Sequence, residues 1–236
     1  MSPNPRQSNS VEEILEDLRA AGSETNRAGM ARFGIDTSRA FGVPLAILRP
    51  MARSIGQSPL LAQDLWASGY HEARLLAILL TLPRALSPEL ALAWLADIRS
   101  WDLCDQLMNV LARRAGSDEL VPALAADERE FVRRAAFALV AWRAVHAKSA
   151  PEAEFLAYLD LIRQAATDER NFVWKAVHWA LRQIGKRSVG LHAPALDLAE
   201  ELSGSEDLTA RKVGRTAARE LSSDKVLDRL HKLPDV

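Results

Sequence analysis

The chain has a single cysteine, Cys104, among its 236 residues. An internal disulfide is therefore excluded. The five histidines (His71, His146, His178, His192 and His231) are scattered, and no Cys/His cluster has metal-ligand spacing. Net charge is nearly absent: 30 Lys+Arg stand against 31 Asp+Glu, a formal balance of −1. Any basic surface must be local, and bulk charge points to no polyanionic partner. No apolar run approaches the ~18 residues of a membrane span. LLAILLTL, residues 75–82, is too short and reads as a buried helix. Glycine is sparse at 11 residues while 48% of the chain is hydrophobic, which excludes disorder as the overall state. Extended β-branched runs are missing. The opening MSPNPRQSNS is polar, without the apolar core of a signal peptide. It predicts a disordered tail over 1–9, with the cytoplasm as the default compartment.

What is present is helical. Ala, Leu, Arg and Glu dominate. An amphipathic helix is expected from Ser10 to Ala21, with Val11, Ile14, Leu15 and Leu18 inside. A short piece follows at Ala28–Phe33, then a Gly/Asp/Thr loop, then Pro44–Ile55. Ser58-Pro59 and Ser87-Pro88 each read as an N-cap with proline at the first helical position. The second opens a helix over Glu89–Arg99. Ser100 reads as the cap of Trp101–Arg114, with Asp102 where the helix dipole favours an anion. The last helix is expected near Asp224–Leu233.

The chain also repeats itself. DEREFVRRAAFALVAW (127–142) and DERNFVWKAVHWALRQIGKR (168–187) match at their starts, 41 residues apart from Asp127 to Asp168. SEDLTARKVGRTAAREL follows 37 residues later, from Asp168 to Ser205, and aligns Lys212 with Lys175. All-helical pairs at this period predict HEAT-like repeats stacked into a curved α-solenoid, one domain over 10–236, with one helix of each pair lining a concave face.

On helical wheels the echo helices show comparable polar faces. In 168–187, Val173, Val177, Ala180 and Ile184 form a buried stripe. Opposite lie Lys175, Trp179, Arg182 and Lys186, and a tryptophan among cations is unusual. In 101–114 the core stripe is Leu103, Leu107, Val110 and Leu111, opposite Trp101, Asp105, Asn109 and Ala112. In 127–142, Val132, Ala136, Leu139 and Val140 are core, and Arg134 stands above the small Ala138 and Ala141. The final copy supplies Lys212, Arg215, Thr216 and Arg219. Cations with interleaved aromatics suit a nucleic acid. Other readings stay open: Trp179 packed on a neighbouring helix, a merely solvated cation stripe, a structural Asp105–Arg134 pair, or a concave face that binds protein.

These residues resemble the AlkD-like DNA glycosylases of alkylation repair, which are HEAT-like solenoids. SWDLCD (100–105) matches that family's Trp-Asp-x-x-Asp motif and places Trp101 and Asp105. FVRRAA (131–136) places Arg134, and FVWKAVHWALR (172–182) places Trp179. The likeness begins near Met30-Ala31-Arg32, where Phe33 stands in place of a frequent tyrosine: the stacking surface is kept and the hydroxyl lost.

The resemblance implies a monomeric glycosylase that releases N3- or N7-alkylated purines from double-stranded DNA, with no cofactor, metal or membrane. Asp105 would stabilise an oxocarbenium-like transition state and position water. Trp101 and Trp179 would lie against the deoxyribose. Arg134, Lys175, Arg182, Lys186, Lys212, Arg215 and Arg219 would hold phosphates, with Arg32 and Phe33 as further DNA contacts. The lesion would be handled through the backbone, without a base pocket. A non-catalytic solenoid that binds branched or bent DNA is the alternative.

Overall fold

A computed structural model of the chain describes residues 10–232; the tail expected over 1–9 falls outside them. The described residues form fourteen α-helices and two short 3-10 turns, with no strand. The chain divides after Val110 into two compact units. The first holds α1 (Val11–Ala20), α2 (Glu24–Arg32), α3 (Leu45–Ile55), α4 (Pro59–Ala67), α5 (His71–Leu80), α6 (Pro88–Asp97) and most of α7 (Trp101–Leu111). The second holds α8 (Val121–Ala126), α9 (Glu130–His146), α10 (Glu152–Ala165), α11 (Asn171–Gly185), α12 (Val189–Ser203), α13 (Leu208–Leu221) and α14 (Asp224–Leu230).

In the first unit the serine caps set the helix starts. Ser10 forms a capping box with Glu13, and Ser58 and Ser87 each accept an N–H three residues on, with proline following. α2 begins at Glu24, four residues before the expected Ala28, because Ser23 also caps, accepting the Asn26 N–H. α6 stops at Asp97 rather than Arg99, since Ile98 is extended. α7 ends at Leu111, short of Arg114.

α5 is the centre of this unit, buried at every position except Arg74 and Leu79. α1, α3 and α4 pack against it. Its fully buried Glu72 accepts the N–H groups of Phe41, Gly42 and Val43 at 2.9, 2.7 and 3.2 Å. The loop is thereby satisfied internally, as buried backbone requires. Gly42 is required there: its φ is +83°, and a Cβ would meet Ser23 O at 2.2 Å.

The second unit shows why the sequence echoes itself. Asp127 Oδ1 accepts the backbone N–H and Nε of Arg129, and Asp168 Oδ1 accepts the same two groups of Arg170. The Asp-Glu-Arg motif is thus one turn built twice. The copies also bond to each other. Arg133 Nη1 reaches Asp168 Oδ2 at 3.0 Å, Phe172 N–H donates to Glu130 Oε1 at 3.2 Å, and Phe131 stacks on Phe172 at 5.3 Å. α9 lies against α8, α10 and α11 and is buried on most sides. Ala138 and Ala141, expected to floor an open face, are fully buried, because neighbouring helices enclose the whole cylinder. Further along, Gly214 lets α13 meet α12 closely: a Cβ there would sit 2.3 Å from Ser203 N.

The Asp168 side chain is 7% exposed. Burial would raise its carboxyl, but the Arg170 and Arg133 hydrogen bonds overcome this and hold it at about 2. A depressed carboxylate stabilises the fold above its ordinary pKa, and that contribution fades as pH falls through the folded value. Asp168→Asn should therefore cost about 2 kcal/mol at pH 7, and the gap to wild type should close between about pH 4 and 2. Urea unfolding midpoints across pH measure this; parallel profiles for the two proteins would refute it.

Candidate nucleic-acid interface

α7 carries the candidate carboxylate, and its first turn is anchored. Asp102 Oδ2 lies 2.8 Å from His71 Nε2 of α5, and Asp102 Oδ1 accepts the Leu103 N–H at 2.9 Å. Burial acts to raise the Asp102 carboxyl, but the hydrogen bond and charge of His71 outweigh it and keep the group below the usual range. The buried stripe of α7 is Leu103, Cys104, Leu107, Met108 and Leu111, with Val110 only half-buried. It is turned slightly from the expected one, toward Cys104 and Met108. Trp101, Asp105 and Asn109 are left half-buried, whereas Ala112 is buried.

Trp101 is fixed from a second direction. Its Nε1–H donates to Phe33 O at 3.1 Å, at the end of α2. Phe33 itself is 71% exposed and follows the exposed Arg32. The structure thus groups Phe33 and Trp101, with Asp105 one turn further along the Trp101 side of α7.

In the second unit α11 has the expected core stripe, with Ala176, Leu181 and Gly185 added to it. Trp179 is half-buried and meets Trp142 of α9 edge to face, at 5.3 Å and 86°. Trp142 in turn stacks on His146, at 5.3 Å and 11°. Sequence reasoning missed Trp142. The available signal was its i, i+4 spacing to His146 near the end of an echo helix. His178, beside Trp179 in the chain, is pushed down to about 4, first by burial and then by the Arg182 charge. It is neutral at pH 7, and its Nε2 is buried without a hydrogen bond.

The expected cations divide into three kinds. Arg134 is 5% exposed, and its Nη1 donates to Phe172 O at 2.7 Å, tying α9 to the start of α11. Its position reflects the enclosure of α9. Arg182 and Lys186 both bind Glu220 of α13, Lys186 at 2.7 Å. Burial would raise Glu220, but the Lys186 and Arg182 hydrogen bonds bring it below the ordinary range. Lys175, Lys212, Arg215 and Arg219 are exposed, and among the described residues none forms an ion pair. Two of them meet at one ring: Lys212 Nζ lies 3.8 Å and Lys175 Nζ 5.7 Å from the centre of Trp174. Arg215 and Arg219 continue the Lys212 side of α13.

Among the described residues no group of three or more His, Cys, Asp or Glu side chains is placed to hold a metal, and no helix is long and apolar enough to cross a membrane.

Comparison with known proteins completes the description. The structure superposes on a solved structure with a TM-score of 0.81 at 19% identity, covering 94% of this chain and 96% of the other. That protein is described as belonging to a new family related to the HEAT-like repeat DNA glycosylases, with affinity for branched DNA structures. At this identity the likeness shows the fold, which is the HEAT-like helical repeat. No curated protein matches the chain. The sequence model of a family described as DNA alkylation repair enzyme matches residues 14–221. That span covers nearly all of the described helices, and the chain belongs to the DNA alkylation repair enzyme family.

Proposed function

We propose that this protein is an alkylpurine DNA glycosylase that hydrolyses the N-glycosidic bond of N3- or N7-alkylated purines in duplex DNA, with Asp105 as its catalytic carboxylate. The observation that carries this reading is the Trp101–Asp105 pair on an anchored helix. A half-buried carboxylate sits one turn from an indole whose N–H is already committed to Phe33 O. The indole is thus left with its faces, not its N–H, as the groups available to a ligand.

The chemistry suits these groups. Alkylation at N3 or N7 makes the purine cationic, so it leaves with the bonding electron pair without a strong general acid. Positive charge then develops at the deoxyribose C1′. A carboxylate stabilises that charge, an aromatic face favours it, and a water oriented by Asp105 adds to C1′ and passes its proton to the Asp105 carboxylate, which returns it to solvent. The products are the free base and an abasic site. In the second unit, Lys175, Lys212, Arg215 and Arg219 are the groups best placed to hold phosphates, because no carboxylate among the described residues neutralises them. Arg182 and Lys186 share Glu220 and bring less net charge. Arg134 supports α11 through Phe172.

A second reading is a non-catalytic binder of branched or bent DNA. Phe33 favours it, since this exposed ring has no hydroxyl to hydrogen-bond DNA. So does the affinity for branched DNA of the protein that shares the fold.

Wild-type protein incubated with methylated duplex DNA should release 7-methylguanine or 3-methyladenine, detected by chromatography. Asp105→Asn should lower release at least about 100-fold while changing duplex affinity by no more than about twofold. No release by the wild type, together with preference for a four-way junction over linear duplex, would establish the second reading instead. Trp142 supplies a further check through the ring it packs against. Trp142→Ala should lower excision about tenfold by loosening Trp179, and Trp142→Phe should retain most of it. Equal rates for the alanine variant and wild type would remove Trp179 from the reaction.

A further inference from the structure

The unit ending at Val110 contains a small polar cavity of about 230 Å³, formed where the 36–40 loop, the first turns of α5 and the α6–α7 connection meet. Three arginines line it. Arg39 donates from Nη2 to Ser68 O at 2.8 Å, and its guanidinium lies 4.9 Å from the centre of the Tyr70 ring. Arg99 donates from Nη1 to Ala96 O and Ile98 O, each at 2.8 Å. Neither is paired with a carboxylate among the described residues. Arg74 is 3.7 Å from Asp97 Oδ2. Its pKa is pushed down by burial, against the pull of Asp97, and further down by the charges of Arg39 and Arg99. Arg74 therefore stands close enough to Arg39 and Arg99 to feel the charge of both.

Two carboxylates share the lining with the three guanidiniums, which leaves one positive charge in excess. Asp97 is shared with the Trp66 indole N–H at 3.2 Å. Asp36 turns Oδ1 to the Ser38 N–H at 2.9 Å. Asp102 is paired with His71. The remaining observation is Ser100, which lines the cavity and is 3% exposed. Its Oγ makes no hydrogen bond. It lies near enough to Asp102 to help lower that carboxyl, but without hydrogen-bond geometry. A buried hydroxyl without a partner is uncommon, and one beside clustered cations calls for an acceptor.

We propose that this cavity is an oxyanion site for a phosphate group, held by the guanidiniums of Arg39, Arg74 and Arg99 with the Ser100 hydroxyl as a further donor. Water would satisfy the hydroxyl but would not compensate the excess positive charge of the lining. A phosphate does both, because its oxygens accept several guanidinium N–H groups at once. The start of α7 adds favourable partial charge. Ser100 immediately precedes Trp101. On the DNA-repair reading, on which this one point rests, the group held is a backbone phosphate flanking the nucleotide at Asp105. A free phosphate would satisfy the same chemistry.

Two measurements separate these sources. Thermal unfolding is followed in sodium phosphate and in sodium chloride of equal ionic strength, for wild type, Ser100→Ala and the Arg39→Gln/Arg99→Gln double variant. Duplex binding is followed over a range of salt for the same proteins. Phosphate should raise the melting temperature of wild type and not of either variant. In chloride, Ser100→Ala should melt close to wild type, since removal of an unpaired buried hydroxyl offsets the loss of its effect on Asp102. The double variant should bind duplex about tenfold more weakly, with the slope of log affinity against log salt reduced by about one. A changed slope assigns the site to DNA. A lost phosphate effect with unchanged DNA binding assigns it to a free anion. If wild type fails to bind DNA, the repair reading falls while the phosphate measurement still decides the site. Variants that match wild type in both measurements overturn the proposal.

Discussion

Two guanidiniums, Arg133 from the start of α9 and Arg170 from the turn before α11, converge on the buried Asp168 carboxylate. Much of the second unit depends on this node. It fixes where α11 begins relative to α9, and side chains then pair along both helices: Phe131 with Phe172 near the start, and Trp142 with Trp179 further on. Apolar helices packed by area alone can slide by a turn at little cost. A buried ionic node cannot, because a slipped register would strand a charge. The net stabilisation of such a group is modest, and its larger effect is to select one register.

Only the repeat that carries this node was legible in the sequence: the Asp168–Arg170 turn is local, whereas the Arg133 arm comes from 35 residues away and left no mark. An aspartate accepting N–H groups two residues on writes itself as Asp-Glu-Arg, and writing it twice exposes the period. The Ser-Pro starts of α4 and α6 were legible for the same reason. Glu72 was not. Its three partners lie about thirty residues earlier in the chain, and nothing near Glu72 announces them. The wheel also misplaced the open face of α9. A wheel finds the most apolar side of a helix; it does not say how many neighbours surround it. An alanine-rich helix can be enclosed on nearly all sides, and then a residue on the nominal polar side, Arg134, is buried and must find a backbone carbonyl.

The same limit shaped the reading of charge. A stripe of cations on one helix looks uniform until the adjacent helix supplies its carboxylates. Glu220 of α13 takes up Arg182 and Lys186, at the C-terminal end of α11, and leaves Lys175 near the other end unpaired. Among the described residues, Lys212, Arg215 and Arg219 of α13 meet no carboxylate. A chain with net charge −1 can therefore still present a concentrated positive field, because its acids are spent selectively. Two ammonium groups meeting at Trp174 add an aromatic surface within that field.

On the proposed glycosylase reading, a carboxylate that stabilises a short-lived cation faces opposing demands. Full exposure would let water screen it, and full burial would make its own charge too costly. Asp105 is half-buried, between these limits. Position matters as much as burial, since a displacement of about 1 Å can forfeit much of the benefit. The helix that carries Asp105 is held at its first turn by Asp102 on His71 and by Trp101 on Phe33, two anchors reaching different elements from adjacent residues. A helix anchored in two directions at one end has little freedom to rotate about its axis. One turn later, that restriction fixes the direction in which Asp105 points.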